Sequence, residues 1–194
     1  LVYGEWEGRS ENIKPFFTAT YTESDKTPLL RLDSLTTNHF IFVGALVSGK
    51  NPLYAIQLVE RLCQQGVSVC LDLYGEGSEK FALETYIKNN QLESYVHLKG
   101  NQPLETIKTA YQNSHFVVLP SASEGWPKVV AEGMFWGCIP VATPVSCVPF
   151  MLDYGQRGVL LTLDLETDVA QILTVIKNHV GFKNMRTKAS DWSR

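Results

Sequence analysis

The sequence predicts an α/β protein: a single Rossmann-like domain with three layers, α/β/α, built on a parallel sheet. Three observations carry that expectation. From His39 onward, short apolar runs alternate with punctuated loops and amphipathic segments several times over, and strands and helices of such lengths pair in parallel through right-handed crossovers. The chain has 194 residues, enough for one domain with a sizeable core plus an extension, but not for two such domains. Glycine-bearing loops follow the apolar runs, at the strand ends where open α/β sheets bind ligands.

Residues 1 to about 35 show neither clear helical nor clear alternating periodicity; Pro15–Tyr21 is strand-like and Glu23–Pro28 reads as a turn or linker. We expect this stretch (1–35) to be the tail of a preceding N-terminal domain and the linker out of it, with residues 36–194 forming the domain proper. An arm packed on the main domain is the alternative for residues 1–21. Phe40–Val43 is the first regular strand. Asn51 and Pro52 supply a cap and first turn for a helix to about Gln65, with Leu53, Ile56, Leu58, Val59 and Leu62 on its buried side. Val67–Leu73 is the next strand and ends in the Gly75–Gly77 loop. A helix over 79–90 follows, with Phe81, Leu83 and Ile87 as core candidates, then a short strand at Val96–Leu98. The helix Leu104–Asn113 returns to a strand at His115–Leu119. Pro140–Thr143 and Val159–Leu161 add two strands, and Thr167–His179 a further amphipathic helix.

Composition narrows the function classes. A net charge of −3 and a pI near 5.8 argue against a nucleic-acid binder, which would usually show a basic face. Cys63, Cys70, Cys138 and Cys147 form no C-x-x-C pair and three lie in apolar runs, which points to reduced, buried thiols and a cytoplasmic setting. No apolar run reaches membrane-spanning length without a proline, and the first residues lack a signal-peptide pattern. Peripheral contact with the inner face of a membrane stays open only for a longer parent chain. Four histidines lack ligand spacing, His97 and His115 read as structural, and no metal site is expected.

One stretch organises the rest: Ser121-Ala-Ser-Glu124-Gly125-Trp126-Pro127-Lys128-Val-Val-Ala-Glu132-Gly133-Met134, which follows the apolar run Phe116–Leu119. It reads as strand, loop, helix. Pro127 suits the first helical position, so that Lys128 and Val129 would offer backbone donors to an anion at the end of the strand. Glu124 before the helix and Glu132 inside it add two carboxylates, which repel phosphate but accept hydrogen bonds from sugar hydroxyls. The combination suits a nucleotide sugar; a plain strand-to-helix connection with two solvated glutamates is the competing reading. A second loop, Gly44-Ala-Leu-Val-Ser-Gly49-Lys50-Asn51, nearly matches a P-loop but places Asn51 where Ser or Thr would hold magnesium.

Two glutamates with seven residues between them, and Gly-aromatic-Pro-Lys after the first, resemble the signature of retaining glycosyltransferases of GT-B architecture, the large group 1 family. Phe42-Val43-Gly44, Leu73–Gly77, Val96–Gly100, Leu119–Ser121 and Gly137–Val141 resemble that family's landmarks in its order. The resemblance covers roughly residues 39–180 and only the donor-binding second half of such an enzyme. It implies transfer of a sugar from a nucleotide-diphosphate donor to a hydroxyl acceptor, in polysaccharide, lipopolysaccharide or glycoconjugate synthesis, without a metal or other cofactor. In its terms Glu132 would accept hydrogen bonds from the donor ribose and Glu124 would contact the donor sugar. Gly125, Trp126, Pro127 and Lys128 would lie against sugar and diphosphate, and Gly44 and Lys50 would meet the diphosphate. Val96 to Gly100 would border the base, with Gly75 and Gly77 leaving room beneath the nucleotide. Family members often carry Arg directly after the glycine at position 44, where this chain has Ala45, one cation fewer. The acceptor would come mainly from the first domain, and a final helix crossing back to that domain is expected beyond Arg194, so the chain alone is expected to transfer nothing. A P-loop NTPase, a non-catalytic Rossmann-like nucleotide-binding module and, more weakly, a sugar-nucleotide epimerase are the alternatives.

Overall fold

The structure, a computed structural model, describes residues 2–3, 15–16, 20–29 and 36–194. Among these, six strands form one parallel sheet in the order β5-β4-β3-β6-β7-β8, where β3 is Asn38–Val43, β4 Val69–Tyr74, β5 Val96–Gly100, β6 Phe116–Leu119, β7 Ile139–Ala142 and β8 Val159–Leu160. A separate parallel pair joins β1 (Val2–Tyr3) to β2 (Pro15–Phe16). The central strands β6 and β7 are buried at every residue because both their faces are covered, whereas β4 and the edge strand β5 also carry half-buried or exposed polar residues, Asp72, His97 and Lys99 among them.

The chain leaves β3 in one direction through α1 (Pro52–Gln64) and α2 (Lys80–Asn89), then returns from β5 through α3 (Leu104–Gln112) to β6 on the other side of β3. It continues through α4 (Lys128–Phe135), the short α5 (Val148–Met151), α6 (Leu165–Lys177) and α7 (His179–Ser193). One core layer packs Phe40, Phe42, Leu71, Phe116 and Val118 of the sheet against Ile56, Val59 and Leu62 of α1 and Ile172 of α6. The opposite layer sets Ile41 and Val117 against Ile107 and Tyr111 of α3 and Phe135 beyond the middle of α4. The reversal of strand order falls between β3 and β6, so a crevice opens at their carboxyl ends.

Several sequence expectations shift. Phe81 is 80% exposed, whereas Leu83 and Ile87 are buried; two residues apart on a helix lie about 200° apart, so Phe81 and Leu83 cannot share a face. Leu53 is only half-buried. Asn51 precedes α1 in a left-handed conformation (φ 52°) and makes no capping side-chain bond. The expected helix 167–179 is α6, displaced two residues toward the amino end, and a further helix, α7, follows it from His179. Asp164 caps α6 by accepting from the Thr167 N–H, and Asn178 caps α7 by accepting from the Gly181 N–H at 2.8 Å. The fifteen residues of α7 escape periodicity because the fully buried side of that helix carries Arg186, Ala189 and Ser190 rather than an apolar stripe. Of the strand-like stretch 15–21, Pro15–Phe16 forms β2 and residues 17–19 lie outside the described residues. Tyr21 packs on the main domain, its ring stacked 5.4 Å from Phe135 and edge-on 4.9 Å from Trp136.

Candidate functional site

Two loops meet at the crevice. The loop after β3 ends in a 3₁₀ turn, Ser48–Lys50, and the loop after β6 is held to it by the Ala122 N–H donating to the Gly49 carbonyl at 2.9 Å. The second loop is also clamped from β7 and its sequel: the Thr143 hydroxyl donates to the Ser121 carbonyl and the Ser146 hydroxyl to the Gly125 carbonyl, both at 2.6 Å. Lys50 thereby reaches across, its Nζ 2.6 Å from Glu124 Oε1, with the glutamate side chain only 8% exposed and the lysine 31%. Two residues 74 positions apart form one charge pair at the sheet's switch point.

Helix α4 starts one residue later than expected. Pro127 occupies the position before the first helical residue, and the Lys128 N–H turns back to the Trp126 carbonyl at 2.9 Å, so it is not an open donor. Gly125 and Lys128 are exposed, Trp126 is half-buried and Pro127 is buried. Farther along α4, Glu132 accepts from the Thr20 hydroxyl at 2.5 Å on one oxygen and from the Tyr111 hydroxyl at 3.3 Å on the other. Burial, and then the Glu132 charge, hold the Tyr111 phenol well above its usual range. The two carboxylates thus face different neighbours: Glu124 a cation, Glu132 two hydroxyls.

The carboxyl ends of β3, β4 and β5 border a cavity of about 340 Å³ lined by Gly44, Ala45, Tyr74, Gly75, Gln102 and Ile107, among others, within the range of small-ligand sites. The glycines around it do separate jobs. Gly75 (φ +143°) must be glycine because a Cβ would stand 1.9 Å from the Gly44 carbonyl oxygen, and a Cβ on Gly77 would stand 2.3 Å from that of Leu46. They let the β3 and β4 loops touch, through the Gly44 N–H to Tyr74 and the Leu46 N–H to Glu76, both 2.9 Å. Gly100, with φ +65°, ends β5 beside Glu76. Gly125 has open space where a side chain would be. Val96 departs from expectation: it is 2% exposed, packed in the core and paired with Leu71 at the amino end of β5. At about 3.3 Å per residue it lies some 13 Å from the carboxyl edge, so only the Gly100 end of that strand reaches the cavity.

The near-match to a P-loop does not extend to its architecture. The helix begins at Pro52, two residues past Lys50, and Lys50 is engaged by a carboxylate. Sequence reading missed Thr20, Tyr74, Gln102, Ile107 and Tyr111 as site residues. Tyr74 lies within the Leu73–Gly77 landmark, which could have flagged it; no local pattern marks the other four, because each acquires its place from tertiary packing.

Parallel sheet, crevice and loop pair together define a Rossmann-type domain with a crevice at its switch point, where such sheets bind ligands. The chain belongs to the glycosyl transferases group 1 family, whose model matches residues 32–191. It is similar to the uncharacterized glycosyltransferase MJ1178 of Methanocaldococcus jannaschii, 26% identical over 158 residues, covering 81% of this chain and 43% of that protein. Its fold is similar to that of S. aureus TarM, solved with Fondaparinux, alpha-GlcNAc-glycerol and UDP: TM-score 0.77, 22% identity, 93% of this chain and 36% of that one. It is also similar to the C-terminal domain of LpcC, a group 1 glycosyl transferase protein of Francisella tularensis: TM-score 0.72, 17% identity, 80% of this chain and 83% of that one. The chain thus matches the C-terminal domain of a GT-B glycosyltransferase and spans less than half the length of MJ1178 and TarM.

Proposed function

We propose that this chain is the donor-binding domain of a retaining glycosyltransferase that moves a sugar from a nucleoside-diphosphate sugar to a hydroxyl acceptor. The observation that carries the reading is the Lys50–Glu124 pair, 2.6 Å long, at the switch point, with Lys50 on the same β3 loop whose start, at Gly44 and Ala45, lines the cavity. A donor diphosphate would draw Lys50 away from Glu124, and the released carboxylate would accept hydrogen bonds from the donor sugar. The nucleoside would fill the cavity, with its ribose hydroxyls replacing Thr20 on Glu132. As the glycosidic bond to the diphosphate breaks, Lys50 and the amino end of α4 would stabilise the charge on the departing group. With those positive ends in place we expect no metal ion to be needed for donor binding.

Residues 1–35 would connect to a preceding domain that supplies the acceptor wall, as the greater length of MJ1178 and TarM supports. The polysaccharide or glycoconjugate setting, and a cytoplasmic site of action with reduced thiols, belong to the same proposal. Among the described residues no helix is long and apolar enough to cross a membrane.

The test is a thermal-shift panel of UDP, GDP, ADP, CDP and TDP with a chelator present. A ligand at about 100 times its dissociation constant stabilises by about 2.7 kcal/mol, or roughly 5–10 °C for a domain of this size. No response to any of the five at millimolar concentration would sink the reading, and a response that demands magnesium would remove its metal-free part.

A further inference from the structure

On the face of the sheet that carries Tyr74, β4 and β5 bring together three side chains that the donor site does not use. Cys70 and Asp72 are two residues apart on β4 and share that face, and Asp72 stands opposite His97 in the strand register. His97 Nδ1 lies 2.9 Å from Asp72 Oδ1 and 3.8 Å from Cys70 Sγ. Among the described residues this is the one group of three such side chains whose ligand atoms lie within 4.8 Å of one another, and all three are half-buried.

An ion pair accounts for Asp72 and His97 alone. The thiol adds a soft donor at the nitrogen where the other two already meet. Zinc–ligand bonds of about 2.3 Å to sulfur and about 2.0–2.1 Å to nitrogen and oxygen put tetrahedral neighbours about 3.6 Å apart for S···N and about 3.3 Å for N···O. The observed spacings lie within about half an ångström of those, so a cation could enter with small side-chain adjustments. β5 is the edge strand, which leaves the group open on one side. Asp72 also lines a cavity of about 600 Å³, with His39 and Tyr74 of the sheet and Glu105, Thr106 and Thr109 of α3 around it. That cavity gives a cation an entry path.

We propose that Cys70, Asp72 and His97 form a three-ligand site for a borderline divalent cation of the Zn²⁺ class, with its fourth position open to water or a small ligand from the adjoining cavity. Thiolate and imidazole select zinc over magnesium and calcium, which prefer all-oxygen sites. Lys99, its Nζ 3.4 Å from Asp72 Oδ1, competes with the cation for that carboxylate. None of its three side chains is among the donor contacts proposed above, which are Lys50, Glu124, Glu132 and the cavity at Gly44, Gly75 and Gln102, so either assignment can fail without the other.

The test is titration of the reduced, metal-stripped chain with Zn²⁺ against a chromophoric chelator. We expect one equivalent to bind without competition from millimolar Mg²⁺. Cys70→Ser, Asp72→Asn and His97→Ala should each weaken it by about 100-fold, the upper end of what losing even an outer-shell partner costs. Cys63→Ser should leave it unchanged, and Lys99→Gln should tighten it. Co²⁺ bound to the unaltered chain should show a thiolate-to-cobalt charge-transfer band that Cys70→Ser removes; this readout stands even where another variant fails to fold. Absence of that band with Co²⁺ bound, no binding of Zn²⁺, or undiminished affinity in Cys70→Ser would each overturn the assignment.

Discussion

Glu132 sits between two hydroxyl donors, Thr20 on one oxygen and Tyr111 on the other. Under the donor reading Glu132→Gln leaves the fold intact but replaces a charged acceptor with a neutral one. Nucleotide binding should weaken by about 1–3 kcal/mol, measured by titration calorimetry. Unchanged affinity would remove Glu132 from the site, and loss of the folded state would make it structural. Each glutamate was legible in the sequence by its spacing, and so was Lys50 by its loop. Their partners were not: the Lys50–Glu124 contact joins residues 74 positions apart, and nothing in the neighbourhood of Thr20 or Tyr111 announces a carboxylate. The same holds for Cys70, Asp72 and His97, which only strand register brings together.

At the scale of elements, the contact between α4 and β6 fixes where Glu132 stands. A Cβ on Gly133 would lie 2.5 Å from Val117 Cγ1 and 2.8 Å from Val117 Cβ, and a strand residue's Cβ cannot swing aside. Gly133→Ala gains about 1 kcal/mol of helix propensity but overpacks at a cost of about 1–3 kcal/mol. A net loss of up to about 2 kcal/mol in urea unfolding is expected, recovered in part by Val117→Ala in the same chain. Greater stability in the single variant would show that the helix can lift freely. A second joint fastens the loop before α6. Asp168, fully buried, accepts from the Tyr54 hydroxyl, from the N–H and hydroxyl of Thr162 and from the Leu163 N–H. Asp168→Ala should cost about 3 kcal/mol or more by stranding those donors, with the denaturation midpoint as the readout. The alternation of elements was legible because parallel strands covered on both faces read as near-continuous apolar runs. Helix α7 was not, since Arg186 spends its burial on a 2.7 Å bond to the Gly137 carbonyl rather than on an apolar stripe.

For the whole molecule, alkaline pH tests the packing. Burial, ahead of every other cause, pushes the phenols of Tyr21 and Tyr74 up to about 12, against about 10 in an unfolded chain. Between those values the folded state binds more protons than the unfolded one, so stability falls as pH rises. The contribution is complete below about pH 10 and fades toward pH 12. Urea midpoints should therefore drop across that window, and a flat profile would contradict the burial of these rings. Under the proposed reading the acceptor wall would lie outside these residues, with positioning worth roughly 7–11 kcal/mol, so a chain of these residues alone is expected to give no acceptor-dependent product by mass spectrometry with any candidate donor. Product from the purified chain would show the site to be complete within these residues.

The central claim is that a nucleoside diphosphate binds where the β3, β4 and β6 ends converge, and amide chemical-shift mapping tests it most directly. With the isotope-labelled chain titrated by the best-responding diphosphate, the account predicts the largest shifts at Gly44, Ala45, Gly75, Glu76 and Gln102 of the cavity wall, and at Lys50, Glu124 and Glu132. Shifts confined to another face of the sheet, or none at saturating ligand, would contradict it.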